Sequence, residues 1–225
     1  MLKNWWKILA FLLLMYTCIA GFLINIPKLD DRMQESIRNF FFHVPMWFAM
    51  MALFGTSAVY AIKYLIKPVQ ARDDYSVEYA RTGLVFGILG LITGSIWAKY
   101  QWGAFWSGDP KQNGAAIALL IYLAYFVLRG SVTDMDKRSR ITAVYNIFAF
   151  AMLFPCIWIL PRMTESLHPG GQGSEGNPAL NSRDLAPGMA MVFWPAIFGW
   201  ILLGVWIASV KTRLRILEEK KLAHA

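Results

Sequence analysis

Six apolar segments dominate this sequence and limit what it can fold into. They lie near residues 5–26, 41–62, 83–98, 110–128, 141–160 and 187–210. A helix needs about 20 residues to cross the roughly 30 Å hydrocarbon core of a bilayer, where only helices and closed barrels satisfy their backbone polar groups. The pattern therefore predicts an all-α integral membrane protein, a six-transmembrane-helix bundle that forms one domain over residues 1–225.

The composition supports a membrane protein and excludes other classes. Hydrophobic residues make up 57% of the 225 residues and charged residues only 16%, whereas a typical soluble domain has about 25% charged residues. These values exclude a soluble enzyme and a disordered tail. The first segment resembles a signal peptide, but its apolar run from Ile8 to Ile26 is too long for one and no small-residue cleavage site closes it. We therefore predict that it is a span.

The lysines and arginines predict how the bundle is oriented. Fifteen of the 22 lie in the N-terminal segment, the second and fourth loops and the C-terminal tail, and seven lie in the first, third and fifth loops. Because cytoplasmic loops carry the excess of Lys and Arg, both termini are predicted to be cytoplasmic, in the cell (inner) membrane, and the odd-numbered loops to face outward. This asymmetry accounts for the net charge of +8, so no nucleic-acid partner is predicted.

The two cysteines exclude another group of functions. Cys18 and Cys156 both lie within apolar runs, and the chain contains no C-x-x-C motif. Thiol redox chemistry, covalent c-type haem attachment to this chain and a disulfide scaffold are therefore not expected. Both residues are expected to act as small apolar side chains.

The two histidines that stand out both fall in regions predicted to face outward. His43 lies where the first outer loop meets the second span, and Pro45 is expected to hold Val44 in extended geometry, so that His43 sits at the helix edge. His168 lies in the fifth outer loop, predicted over residues 161–186 and rich in Gly and Pro. Taken singly, His43 also fits an interfacial aromatic belt, and His168 fits a solvated loop residue.

An aromatic segment separates the two histidines in the sequence. The predicted outer loop 97–109 contains five aromatic residues within ten positions: Trp97, Tyr100, Trp102, Phe105 and Trp106. An interfacial belt, together with Asp109 and Pro110 as the cap and first residue of a helix, explains part of this segment. The aromatic density goes beyond a belt and favours a platform for a large planar ligand such as a porphyrin.

Together, the two outward histidines and the aromatic loop can supply two axial ligands and a stacking wall for haem. The 11 methionines are an alternative ligand set, but most are scattered through the apolar spans. A zinc site is not predicted because Asp and Glu residues in the outer loops are few. The chain has no nucleophile elbow and no Walker-type glycine-rich loop, so neither hydrolytic catalysis nor nucleotide hydrolysis is expected.

The third outer loop resembles the tryptophan-rich ("WWD") signature of haem-handling proteins in cytochrome c biogenesis. The residues that carry this resemblance are Thr93, Gly94, Ser95, Trp97, Lys99, Trp102, Gly103, Trp106 and Asp109. The six spans, the His43-Val44-Pro45 entry to the second span and His168 in the last outer loop are similar to the short branch of that family, haem exporter protein C. The resemblance covers essentially the whole chain.

This resemblance implies a carrier that holds haem b at the outer face of the membrane. It implies His43 and His168 as the axial ligands of the haem iron, and it implies no catalytic residue. The platform that it implies consists of Trp102, Gly103, Phe105, Trp106 and Asp109. Arg38 and Lys111 match family positions from which they can pair with the haem propionates, although headgroup-facing cations explain them equally well.

The resemblance also implies partners. These are an ABC transporter ATPase, a second membrane subunit, a small single-span subunit and a periplasmic haem chaperone that takes haem to apocytochrome c. Phe105 and Gly108 depart from the family pattern, because tryptophans are usual at both positions. Two alternatives stay open: a synthase-type protein that attaches haem to cytochrome c directly, and a b-type electron-transfer subunit. Both usually carry histidines within their spans, and none of the three histidines of this chain is in mid-span.

Overall fold

The structure is a computed structural model that describes residues 4–29, 31, 33–169 and 185–223. These residues form six long helices and no β-strand. The helices are α1 (Trp5–Leu23), α2 (Phe40–Ile66), α3 (Gln70–Trp102), α4 (Pro110–Ser131), α5 (Met135–Leu153) and α6 (Pro187–Ala223). Each is long and apolar enough to cross a membrane, α5 together with the turns that continue it. The predicted all-α fold with six spans is confirmed. Residues 170–184 of the predicted fifth outer loop, and His224, lie outside the described residues.

Short turns extend two helices at the end predicted to face outward, which we call the outer end. A 3₁₀ turn, Ser36–Asn39, leads into α2. A π-helical segment, Phe154–Ile159, and a 3₁₀ turn, Leu160–Arg162, continue α5. The π-helical segment lies tightly against α4, because a Cβ added at Gly114 would collide with the backbone oxygen of Cys156. π-Helical turns are rare and occur frequently at functional sites.

Helix α2 lies at the centre of the bundle against α3, α5 and α6, whereas α1 packs mainly on α6. The inward face of α3 carries glycines at positions 83, 87, 90 and 94, a spacing that puts them on one side of the helix. A Cβ at Gly83 would lie 2.9 Å from the Phe54 ring, and one at Gly87 would collide with Leu119. Small residues of this kind let transmembrane helices approach closely.

Two helices extend well beyond the apolar segments that predicted them. The segment 83–98 is the apolar part of α3, which begins at Gln70, and the segment 187–210 is the first part of α6, which continues to Ala223. The charged region between the second and third apolar segments is therefore mostly helical, and only residues 67–69 connect α2 to α3. Hydropathy does not detect these charged helix extensions. It assigns charged residues to solvated loops, whether or not they form ion pairs in the folded protein.

Buried ion pairs join these helix extensions at the opposite end of the bundle, the inner end. Arg129 on α4 donates hydrogen bonds to both carboxylate oxygens of Asp73 on α3. Arg215 on α6 donates to Asp74 at 3.0 Å and to Glu78 at 3.2 Å. We call these five residues the inner ion cluster. Because every carboxylate in it is paired and hydrogen-bonded, the bundle accommodates charges that would otherwise be costly to bury.

The tryptophan-rich segment is divided between a helix and a short loop. Predicted as a loop over residues 97–109, it is helical up to Trp102 and turns at Gly103, whose φ of 83° is left-handed and favours glycine. The connecting loop consists of residues 103–109. Asp109 caps α4, as predicted, because its side chain accepts a hydrogen bond from the Lys111 N–H at 2.8 Å.

Candidate functional site

A cavity of about 520 Å³ lies at the outer end of the bundle. Helices α2, α3 and α4, the turns that continue α5 and the start of α6 form its wall, and most of the lining side chains are apolar or aromatic. This size and lining are typical of a small-molecule or cofactor site. His43 and His168 both line the cavity. The fold therefore brings together two candidate ligands that are far apart in the sequence.

His43 lies in the first turn of α2 with its ring against α3. Its Nδ1 is 3.1 Å from the Thr93 hydroxyl, which itself donates to the Leu89 carbonyl at 2.9 Å. Because the hydroxyl proton goes to a backbone carbonyl, we assign Nδ1 of His43 as the donor to Thr93, and in this neutral tautomer Nε2 carries the lone pair. A Cβ at Gly94 would lie 2.5 Å from the imidazole Cε1, so the ring occupies space that a glycine leaves open.

Two tryptophans stand edge-on to the His43 ring. The ring centroids of Trp47 and Trp97 lie 6.2 Å and 6.0 Å from it, and both side chains line the cavity. The prediction that Pro45 holds Val44 in extended geometry is wrong, because both residues lie inside α2. Proline is tolerated within transmembrane helices, where neighbouring groups can satisfy the carbonyl that it leaves without a partner.

His168 is held by the residue that caps α4. Its Nδ1 lies 2.7 Å from Oδ1 of Asp109, while the other carboxylate oxygen accepts hydrogen bonds from the Ser166 hydroxyl at 2.8 Å and the Leu167 N–H at 2.7 Å. The Trp102 ring meets the imidazole edge-on, with 4.8 Å between the centroids. One carboxylate at the start of α4 therefore fixes a three-residue stretch of the last outer loop.

The charge of Asp109 decides how His168 is oriented. Burial favours the protonated carboxyl, but the hydrogen bond and positive charge of His168, with the bonds from Ser166 and Leu167, outweigh it and hold the pKa of Asp109 well below its usual range. An ionised carboxylate only accepts hydrogen bonds, so Nδ1 of His168 donates to it whether the ring is charged or neutral, and in the neutral form Nε2 carries the lone pair. Metal-binding histidines are commonly oriented by such a carboxylate.

The predicted platform residues are not all at the cavity. Trp102 lines it, and Asp109 holds one of its histidines. Phe105 and Trp106, in the loop between α3 and α4, are 58% and 44% exposed and do not belong to the cavity wall. Gly103 ends α3 and has no atom within 4 Å of an added Cβ. The platform is thus split into a part inside the cavity and a part exposed beside it.

Of the two cations predicted to pair with propionates, only Lys111 lines the cavity. Its Nζ donates to the Pro169 carbonyl. Arg38 does not belong to the cavity wall, because its guanidinium donates to the carbonyls of Gly21 and Ile24, each at 3.0 Å. Arg38 therefore satisfies carbonyl groups at the C-terminal end of α1, which have no partners within that helix.

The lining residues that were not identified as site residues from the sequence include Trp47, Trp158 and Arg162. Trp47 follows His43 by four residues, and this spacing alone puts both on one face of a helix. Trp158 and Arg162 are also four residues apart, but their positions depend on the π-helical segment and the turn after it. Hydropathy and helix periodicity do not predict a π-helix, so the sequence does not indicate that these two residues line the cavity.

The family model for CcmC, Heme exporter protein C, matches residues 1–225 of this chain. The chain belongs to the heme exporter protein C family. It is similar to Heme exporter protein C of Haemophilus influenzae, with 25% identity over 190 residues that cover 84% of this chain and 75% of that protein. The corresponding protein of Paracoccus denitrificans is 26% identical over 204 residues, covering 88% and 79%. Cytochrome c biogenesis protein CcsA of Trachelium caeruleum is 31% identical over 121 residues, 53% of this chain and 37% of that protein.

The match to heme exporter protein C confirms the family predicted from the tryptophan-rich segment and the two histidines. Membership implies a role in haem delivery for cytochrome c maturation, as a transport component of an ABC-type haem export complex. Together with the six helices, it also confirms the predicted location in the cell membrane.

Proposed function

We propose that this protein binds haem b in the outer-end cavity, with His43 and His168 as axial ligands, and passes it to a periplasmic haem chaperone for cytochrome c maturation. The platform that holds the porphyrin ring, and from which haem is transferred, consists of Trp102, Gly103, Phe105, Trp106 and Asp109. The protein works beside an ABC transporter ATPase, a second membrane subunit and a small single-span subunit. Its two termini are cytoplasmic, so the cavity opens toward the periplasm.

The observation that carries this proposal is the matched pair of imidazoles at one cavity. Each ring donates from Nδ1 to a fixed acceptor, His43 to Thr93 and His168 to Asp109. In both neutral rings Nε2 is then the nitrogen with the lone pair, which is the form that binds a metal. Haem supplies an iron with two axial positions, and pairs of histidines are among its protein ligands.

The lining of the cavity also fits haem. A porphyrin ring is flat and largely apolar, and aromatic side chains such as Trp47, Trp97 and Trp102 suit its faces and edges. Lys111 provides a cation for a propionate at the same cavity. The exposed side chains of Phe105 and Trp106 lie outside the wall, where a soluble chaperone that takes the haem can contact them.

The ligand assignment is tested by exchanging each histidine for glycine. Purified His43→Gly and His168→Gly are each expected to lose the six-coordinate Soret spectrum of the wild type, because one axial position is left without its imidazole. Added imidazole should restore the spectrum in both. His224→Gly, which removes the third histidine of the chain, is the matched control and should leave it unchanged. Wild-type spectra and haem retention in both ligand variants would overturn the assignment.

Transfer to the chaperone is tested separately from binding. Haem-loaded protein in lipid vesicles is mixed with a purified periplasmic haem chaperone, and the movement of the Soret band between the two is followed. Trp106→Ala should slow transfer while haem stays bound. Tyr100→Ala removes an aromatic side chain that is 62% exposed but outside the platform, and it should transfer at the wild-type rate. Equal rates for all three proteins would contradict the transfer role of Trp106.

A second candidate function is direct attachment of haem to apocytochrome c. One observation favours it, the similarity of 121 residues to cytochrome c biogenesis protein CcsA. Haem-loaded protein and reduced apocytochrome c are incubated with no chaperone, and the cytochrome is then denatured and extracted. Haem that remains covalently bound to the cytochrome would favour the second function. Haem that is fully extracted, and that becomes covalently bound only when the chaperone and the attachment machinery are present, supports a carrier.

A further inference from the structure

A tryptophan and an arginine on the turns that continue α5 line the cavity without contributing to the proposed iron ligation. The Arg162 guanidinium carbon lies 4.9 Å from the centroid of the Trp158 ring, and Nη1 donates to the Trp158 carbonyl at 2.7 Å. Stacking on the ring and the hydrogen bond restrict the guanidinium to one region of space. The guanidinium of Arg162 is therefore held in place at the cavity, although Arg162 is an exposed residue.

Positive charge at this side of the cavity is only partly balanced. Among residues 4–29, 31, 33–169 and 185–223, no ion pair within 4.0 Å involves Arg162 or Lys111. Both cations line the same cavity, and Asp109 caps the helix that carries Lys111. However, both Asp109 oxygens already accept hydrogen bonds, from His168 and Ser166 among others. Within the part of the chain that the structure describes, the donors that the two cations keep have no carboxylate partner, and an anionic ligand in the cavity can accept hydrogen bonds from them.

We propose that Arg162 and Lys111 together bind the two carboxylates of the porphyrin, and so determine which edge of the ring faces outward. This inference rests on the proposed haem function. The cavity has a charged side, with Arg162 and Lys111, and an apolar side that includes Met51 and Leu91. Met51 follows His43 by eight helical residues and lies about 12 Å further along α2 toward the inner end. The carboxylate edge of the ring therefore faces the side of the cavity that carries Arg162 and Lys111.

The test compares haem with its dimethyl ester, in which both carboxylates are neutral. Full-length wild type binds haem more tightly than the ester, by roughly 10-fold or more, because charge-assisted hydrogen bonds are among the strongest in proteins. Arg162→Gln should weaken haem binding by roughly 10-fold and leave ester binding unchanged. The matched control, Lys28→Gln, removes an exposed outer-end cation that does not line the cavity, and it should leave both affinities at their wild-type values.

Each other outcome has a defined meaning. If Arg162→Gln weakens haem and ester equally, the residue only supports the shape of the cavity and the carboxylate proposal is overturned. If it changes neither affinity, the proposal is overturned as well. Arg162→Lys keeps the charge and should recover part of the discrimination between haem and ester. Failure of the axial-ligand proposal is seen separately, because His43→Gly and His168→Gly would then keep the wild-type Soret spectrum, whatever the ratio of haem to ester affinity.

Discussion

The two ends of the bundle both contain polar and charged side chains, but they use them in different ways. In the inner ion cluster, Asp73 accepts from Arg129 and also from Ser139 at 3.0 Å, so the chain itself supplies the partners. At the outer end, His43 and His168 each use one ring nitrogen within the protein and line a cavity. The first arrangement is closed within the protein, whereas the second leaves one nitrogen of each ring for the ligand that we propose.

This difference separates groups that maintain the fold from groups that bind. A bilayer offers no water to polar groups, so each of them needs a partner in the protein or in a ligand. Where acid and base meet, as in Asp74 and Arg215, the pair holds helices together. Where imidazoles and cations line a cavity of about 520 Å³, the partner that we propose is a ligand with metal and carboxylate groups. The comparison predicts that mutations at the two ends have separable effects.

The largest expected effect is at the inner end, with Arg129→Met. Removing this guanidinium leaves Asp73 as a buried charge without its main partner, and the free energy of unfolding should fall by about 3–5 kcal/mol. Unfolding in detergent measures the loss, while the Soret spectrum of the folded fraction should stay that of the wild type. The double variant with Asp73→Leu removes both charges and should recover most of the stability. A lost Soret spectrum at unchanged stability would break the comparison.

Asp109→Asn tests the outer end. The amide still caps α4, so the stability should change by less than about 1 kcal/mol. However, it removes the negative charge beside Nδ1 of His168 and replaces the oxygen that accepts from Ser166 and Leu167 with an NH₂ donor. The imidazole is then held less firmly, and haem affinity should fall by roughly 10–100-fold, the usual cost of losing a group that orients a metal-binding histidine. Haem titration of the purified variant measures this.

The matched control for this substitution is Asp134→Asn. Asp134 caps α5 in the same way, accepting from the Lys137 N–H at 2.8 Å, but it lies in the α4–α5 connection at the other end of the bundle. It should leave haem affinity unchanged. An equal loss of haem affinity in both variants would mean that capping, and not the contact with His168, determines binding.

The fold could be predicted from sequence where its determinants are local. Each of the six spans is apparent from its own apolar residues, and the cap of α4 from Asp109 followed by Pro110. The helical part of α3 before residue 83 could not be predicted, because Asp73 and Asp74 are buried only with Arg129 and Arg215, which belong to distant segments. A hydropathy pattern contains no information about ion pairs between residues that are far apart in the sequence.

The candidate site follows the same division. His43, His168, Trp102 and Asp109 were identified from motif and topology, and all four meet at or beside the cavity. The contribution of Arg162 depends on the π-helical turn before it, which sequence did not indicate. The position of Arg38 could not be predicted either, because the carbonyls that it binds belong to α1.

A smaller effect is expected for Gly94→Ala. The added methyl group would lie 2.5 Å from the imidazole of His43, so the ring must shift, at a cost of about 1–3 kcal/mol. Haem titration and thermal unfolding should both reveal the change. In the control, Gly130→Ala, the methyl group meets no atom within 4 Å, and better helix propensity should stabilise α4 by up to about 1 kcal/mol. Unchanged haem affinity in Gly94→Ala would show that the position of His43 is not critical.

The smallest effect is expected for Thr93→Val, which keeps the side-chain shape and removes the acceptor for Nδ1 of His43. One hydrogen bond is worth about 0.5–1.5 kcal/mol, so haem should dissociate roughly two- to tenfold faster into an excess of a haem-scavenging protein. Thr93→Ser keeps the hydroxyl and should stay near the wild-type rate. Thr56→Val is the control, since that hydroxyl donates only to the Ala52 carbonyl of its own helix. If Thr93→Val and Thr56→Val behave alike, the orientation of His43 comes from packing against Gly94 and the tryptophans. Of the two proposed ligands, only His168 would then be oriented by a hydrogen bond.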